Sequence, residues 1–171
     1  MSDEIVNKVA NSGLITIDLK EYYPTGERVL LDIRHWLVQD MLLRETDFRN
    51  HLSQHDWTQY KDKFVAVTCS SDAIIPTWAY MLLALQLEPY AKKTVFGNLE
   101  KLESVVMEEA FTKIDFSTFQ DAKIVIKGCG ELPIPVHAYS SIAARLKPYA
   151  KSLMFGEPCS TVPLYKAKKQ G

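Results

Sequence analysis

Apolar residues change rhythm several times along the chain, and each rhythm predicts an element. Phe64–Thr68 (FVAVT) and Lys123–Lys127 (KIVIK) are short runs of Val and Ile, the pattern of buried strands. After each run come a loop and a proline, Pro76 or Pro135, which suits the first turn of a helix. Helical spacing follows: Trp78, Met81, Leu82 and Leu85 in the first case, Tyr139, Ile142 and Leu146 in the second. Pro89 and Pro148 stop these helices. Lys93–Phe96 and Ser152–Phe155 then read as strands, each closed by a glycine. Between them lies NLEKLESVVMEEAFTKID, a helix with Asn98 as N-cap and Leu99, Leu102, Val105, Val106 and Phe111 as its apolar stripe.

From residue 64 the order is therefore β-α-β-α-β-α-β. Such alternation predicts an α/β fold, a mainly parallel sheet with helices packed on it. Upstream, Leu14–Leu19 and Arg28–Ile33 read as the strands of a hairpin turning through Tyr-Pro-Thr-Gly, and Thr46 as the cap of a helix over Asp47–Gln54. No Gly/Ser-rich linker interrupts the chain, which gives a single domain over 1–171. Residues 1–62 extend or cover the sheet, and 63–165 form its core; the polar, basic tail 166–171 frays.

The core repeats itself. PTWAYMLLALQLEPYAKKTVFG (76–97) and PVHAYSSIAARLKPYAKSLMFG (135–156) match without a gap at 11 of 22 positions, 59 residues apart. FVAVTCSSDAIIP (64–76) and KIVIKGCGELPIP (123–135) continue the match upstream, with one residue fewer between cysteine and proline in the second copy. Two β-α-β repeats, about 64–97 and 123–156, thus build the core. Placing Phe64–Thr68 beside Lys123–Lys127 at the centre of one sheet would give it a pseudo-twofold.

The candidate chemistry is thiol chemistry. Cys69, Cys129 and Cys159 each follow a predicted strand, within the loops CSSD, GCGE and EPCST. Parallel strands would gather all three at one carboxyl edge, where open α/β sheets bind ligands. Small residues admit close backbone approach, and loop N–H groups and helix N-termini favour thiolates. Soft thiolates select zinc, Cu(I) or iron–sulfur clusters. A tetrahedral zinc site wants a fourth ligand, for which Asp72, Glu131, His137 and Glu157 are near in sequence. A cluster could also share a ligand across a homodimer. Two other readings stand beside this one: a thiol-dependent enzyme or sulfur carrier, and a protein-interaction scaffold whose cysteines only pack. His137, aligned with Trp78, reads as a packed ring; His35, His51 and His55 read as surface residues, and Trp36 and Trp57 as core.

Composition narrows the field. The 171 residues hold 20 Lys and Arg against 21 Asp and Glu, a net charge of −1 with no basic stripe, so nucleic acid is not an expected partner. There is no Walker loop and no GxGxxG. No apolar run nears the roughly 20 residues of a membrane span. No signal-peptide pattern opens the chain, which points to the cytoplasm, where three cysteines stay reduced.

The segments CSSDAIIPTWAYMLLA, YAKKTVFGNLE, IKGCG, FGEPCSTVPLY and IVNKVANSGLITIDL resemble the Bacteroidota family called Domain of Unknown Function twenty-four-eighty, over nearly the whole chain. Genes of that family often neighbour the Suf iron–sulfur assembly genes. The resemblance implies an accessory role near cluster assembly, with iron–sulfur assembly proteins as partners and a cluster or zinc as cofactor. It supplies no ligand assignment.

Overall fold

A strand made of Val and Ile needs partners on both edges and cover on both faces, and this chain builds such a setting twice. The computed structural model describes residues 13–128, 130–157 and 160–168. Its regular elements in chain order are β1 (Leu14–Asp18), β2 (Arg28–Asp32), α1 (Glu45–Gln54), β3 (Phe64–Thr68), α2 (Thr77–Leu87), β4 (Lys93–Phe96), α3 (Leu99–Phe111), β5 (Lys123–Lys127), α4 (Val136–Leu146), β6 (Ser152–Glu157) and β7 (Ser160–Lys166), with short 3-10 turns between some of them. The fold is mixed α/β, with largely parallel strands and helices packed on them, and the order from residue 64 is the one that the periodicity predicts.

The strands form two sheets rather than one. One sheet is β2-β3-β4, all parallel; the other is β1-β5-β6, parallel, with β7 added antiparallel to β6. Hence β3 and β5 do not lie side by side. Each is central in its own sheet because an N-terminal strand fills its outer edge, Arg28 opposite Phe64 in one and Leu14 opposite Lys123 in the other. For the same reason β1 and β2 form no hairpin: each runs parallel to a different partner. The strand β7 is an element that the sequence reading lacks, and residues 169–171 of the tail lie outside the described ones. Helix α1 begins at Glu45, so Thr46 sits in its first turn instead of capping it.

The described residues divide into two compact units, one within 24–106 and one within 13–23 and 107–168. In the first, alternation along β3 sends Val65 and Val67 to one face and Phe64 and Ala66 to the other. The Val65 face packs on Phe48 and Leu52 of α1 and on Ala79, Leu83 and Leu87 of α2. The Phe64 face packs on Leu102 and Val106 of α3. There the buried Glu103 takes Arg28 in a two-pronged ion pair, Nε to Oε1 at 2.9 Å and Nη2 to Oε2 at 3.3 Å. In the second unit Ile17, Ile124, Ile126 and Leu153 pack on Ala138, Ile142 and Leu146 of α4 and on Met107 and Phe111 of α3.

The structure shows the repeat reaching further back than the sequence match. Asp56 and Asp115, 59 residues apart, each cap a 3-10 turn, accepting from Thr58 N at 3.0 Å and from Ser117 N at 3.1 Å. Asp62 and Asp121 share a φ of 59° and donate their N–H to the carbonyls of Tyr90 and Tyr149. Equivalent helix positions, Ala79 and Ala138, Leu83 and Ile142, Leu87 and Leu146, are all fully buried. The inward face of α2 is therefore Ala79, Leu83 and Leu87. Two members of the stripe that periodicity picks out, Met81 and Leu85, face solvent at 63% and 69% exposure. No helix among the described residues is long and apolar enough to cross a membrane.

Candidate functional site

Each sheet has a carboxyl edge built by the same local rules. The outer strand ends in an aspartate that folds the chain into a 3-10 turn: Asp18 Oδ1 accepts from Lys20 N and Asp32 Oδ1 from Arg34 N, each at 3.0 Å. Leu19 and Ile33, between those residues, are fully buried and anchor the turns. The basic residue that follows each is thereby fixed near the strand ends.

In the unit of residues 1–23 and 107–171, the edge is formed by the ends of β5 and β6, neighbouring parallel strands. Lys127 Nζ lies 3.2 Å from Glu157 Oε2, joining the last residues of the two strands. The Tyr139 hydroxyl of α4 donates to the Gly128 carbonyl, and the same ring fills the space that any side chain at 128 would need. A Cβ at Gly130 would stand 2.8 Å from Lys20 Cε and 3.2 Å from its ammonium, so the Lys20 side chain lies against this turn. Tyr139 meets Phe155 edge to face at 5.7 Å, and the pair borders an apolar cleft of about 300 Å³ with Ile126, Ala143 and Leu164. Cys129 and Cys159 themselves lie outside the described residues. Their chain neighbours bracket them: Gly128 and Gly130 for Cys129, the β6 end Glu157 and the β7 start Ser160 for Cys159.

Cys69 belongs to the other unit, one residue past β3. It is half-buried, with Sγ 3.1 Å from Ser71 Oγ. Counting along the strands, it matches Gly128 rather than Cys129, and it meets Tyr80 where Gly128 meets Tyr139. Burial first and the neighbouring Cys69 second push the Tyr80 hydroxyl up. Ser70, the counterpart of Cys129, donates its N–H to Asp32 Oδ1 at 3.1 Å. Burial alone would raise the Asp32 carboxyl, but hydrogen bonds from Ser70 and Arg34 hold it below its ordinary value. Tyr80 and Phe96 repeat the edge-to-face pair of the other unit at 5.2 Å. Because β3 and β5 are central to different sheets, Cys69 and Cys129 do not follow adjacent strands.

A family model described as Protein of unknown function (DUF2480) covers residues 3–167. The chain belongs to that family. No curated protein and no solved structure matches it.

In this DUF2480 member no three His, Cys, Asp or Glu side chains among the described residues gather closely enough to hold a metal ion. The fourth-ligand candidates scatter. Asp72 and Glu131 are exposed in loops, and Glu157 is paired with Lys127. His137 is exposed rather than packed, its Nε2 3.2 Å from Glu108 Oε1, while Arg145 holds the other oxygen of that carboxylate at 2.7 Å. His35 and His51 are at the surface, as expected. His55 is not: it is half-buried against Trp36, Trp57 and Tyr60, with Nε2 2.9 Å from the Tyr60 hydroxyl. Lys20 escaped the sequence reading. The signal for it was there, since IDLK and LDIR (17–20 and 31–34) follow both outer strands with the same aspartate and basic residue.

Proposed function

We propose that this protein is a cytoplasmic accessory protein that binds a metal ion or an iron–sulfur cluster through thiolates, with Cys129 and Cys159 as the pair at its centre. One observation carries this reading: the Lys127–Glu157 ion pair ties together the ends of adjacent strands from which both cysteines follow within two residues. Thiolates are the donors that zinc and iron–sulfur clusters favour. Cys69, the third cysteine of the sequence expectation, belongs to the other unit and is tested separately from this pair. The family resemblance to proteins encoded near Suf genes favours a cluster over zinc and iron–sulfur assembly proteins as partners.

The test is anaerobic purification of the untagged protein, with iron, zinc and acid-labile sulfide measured per chain for the wild type and for Cys69→Ser, Cys129→Ser and Cys159→Ser. Bound metal that falls in Cys129→Ser and Cys159→Ser supports the pair, and the Cys69→Ser result separates two thiolates from three. Metal-free, colourless, folded protein contradicts it.

A second reading, a thiol-dependent enzyme or sulfur carrier, draws on the ammonium of Lys20 beside the turn at Gly130, since nearby cations lower thiol pKa. It predicts rapid, pH-dependent alkylation of one cysteine in metal-free protein.

A further inference from the structure

The two ends of strands β5 and β6 differ in charge. At the carboxyl edge Lys127 is neutralised by Glu157 at 3.2 Å. The opposite, amino edge carries Lys123, Lys147, Lys151, Lys166 and Lys168, all exposed. Among the described residues none of these five ammonium groups pairs with a carboxylate. In the turns that lead into the two strands, residues 120–123 and 147–152, Asp121 is the one acid against three lysines.

Strand pairing gathers this charge from separate segments. Ile124, Leu153 and Tyr165 face the core, so Lys123, Ser152 and Lys166 share the opposite face of the sheet. They stand in register across β5, β6 and β7. At about 4.8 Å between strands the two lysine backbones are about 10 Å apart, with Ser152 between them. The Ala167 N–H donates to the Lys151 carbonyl at 2.9 Å, which keeps Lys168 at this edge. On the core side Lys147 holds its ammonium 5.6 Å from the centre of the Tyr165 ring. The other unit has no counterpart of β7, and Phe64 and Glu88 occupy its positions for Lys123 and Lys147. The repeat thus folds without this charge, and gathered like charges only repel one another unless an anion meets them.

The arrangement selects among anions. Readers of nucleic acid add guanidinium forks and stacking rings. Here Arg145, the guanidinium of α4, is already held by Glu108 at 2.7 Å, and Tyr165 packs on the core. A membrane surface is a plane, whereas these lysines flank the sheet edge on both of its faces. An extended acidic segment can follow such an edge. Carboxylates three residues apart along it are about 10 Å apart, the spacing of Lys123 and Lys166.

We infer that the amino edge of this sheet is a docking site for an extended, acidic segment of a partner protein. The site uses no thiol and no metal and stands apart from the reading above.

Fluorescence anisotropy of a labelled oligoglutamate peptide, titrated with the full chain under reducing conditions, tests it. The expected Kd is about 50 μM in about 50 mM NaCl, weakened at least about 5-fold by about 300 mM NaCl. Lys123→Glu/Lys166→Glu and Lys147→Glu/Lys151→Glu should each weaken binding at least about 10-fold and keep the circular dichroism of a folded protein. Lys61→Glu/Lys101→Glu makes the same charge change at exposed lysines elsewhere and should alter binding less than about 2-fold. No binding at about 500 μM protein, or a Lys61/Lys101 pair that matters as much as the edge pairs, would overturn the assignment. So would tighter binding of single-stranded oligothymidylate or of phosphatidylserine vesicles than of the peptide.

Discussion

The Lys127 ammonium stands 3.2 Å from the Glu157 carboxylate, one at the end of β5 and the other at the end of β6. Both side chains are partly exposed, so the pair contributes about 0–1 kcal/mol to stability. Its consequence is local. It fixes a cation at the last residue of β5, two positions before Cys129 along the chain. Lys127→Ala should therefore leave Tm nearly unchanged and slow iodoacetamide alkylation of Cys129 at neutral pH, followed by mass spectrometry of the digested protein. An unchanged rate would remove Lys127 from the thiol's environment.

Gly128 and Tyr139 form a lock. A methyl at 128 collides with the Tyr139 ring, whose hydroxyl bonds to the Gly128 carbonyl. Gly128→Ala should cost about 1–3 kcal/mol through overpacking. On a Tyr139→Ala background most of that cost should vanish, a coupling that a double-mutant cycle of denaturant midpoints would reveal.

His55 gives the fold a pH dependence whose sign follows from its surroundings. Burial lowers its pKa from the ordinary 6.5; Asp56 opposes that shift and His51 adds to it. The folded protein therefore binds the proton less readily than the unfolded chain. This contribution is fully present above 6.5 and is lost as pH falls through the depressed folded value. His55→Gln should flatten the loss of urea stability between about pH 7 and pH 5. A parallel curve for the variant would contradict this role.

The two faces of α2 respond differently to truncation. Leu83 is fully buried, and Leu83→Ala should cost about 2–5 kcal/mol by opening a cavity. Met81→Ala, at a solvent-facing position, should change stability by no more than about 0.5 kcal/mol. Chemical denaturation of both variants under reducing conditions checks the pair.

That contrast also shows how far the sequence could be read. Val and Ile runs, prolines at helix starts and ends, and Asn98 as a cap, with its Oδ1 accepting from Lys101 N at 2.9 Å, placed the elements from residue 64 onward. Pairing was not legible. Strands such as FVAVT and KIVIK carry no mark of which neighbour they take, and β1 and β2 compete for the same parallel edges. The helical face is ambiguous because α2 is apolar nearly all round: Trp78 and Leu82 of the periodic stripe pack on the core, while Met81 and Leu85 fit the same period and face solvent. At the site, strand-end cysteines were visible as a pattern. The gap of one residue between the copies hid that Cys69 stands at the place of Gly128. Lys20 was hidden by distance along the chain, since only the pairing of β1 with β5 brings it to Gly130.

The pairing of β5 with β6 makes Cys129 and Cys159 the thiols most directly open to test. Cobalt(II) titrated into metal-free, reduced protein reports thiolate ligation through its sulfur-to-metal charge-transfer absorption, whose intensity rises with the number of thiolates bound. The account predicts a saturable band near one cobalt per chain that is lost in both Cys129→Ser and Cys159→Ser. A titration without that band, or a band that survives both substitutions, would contradict it.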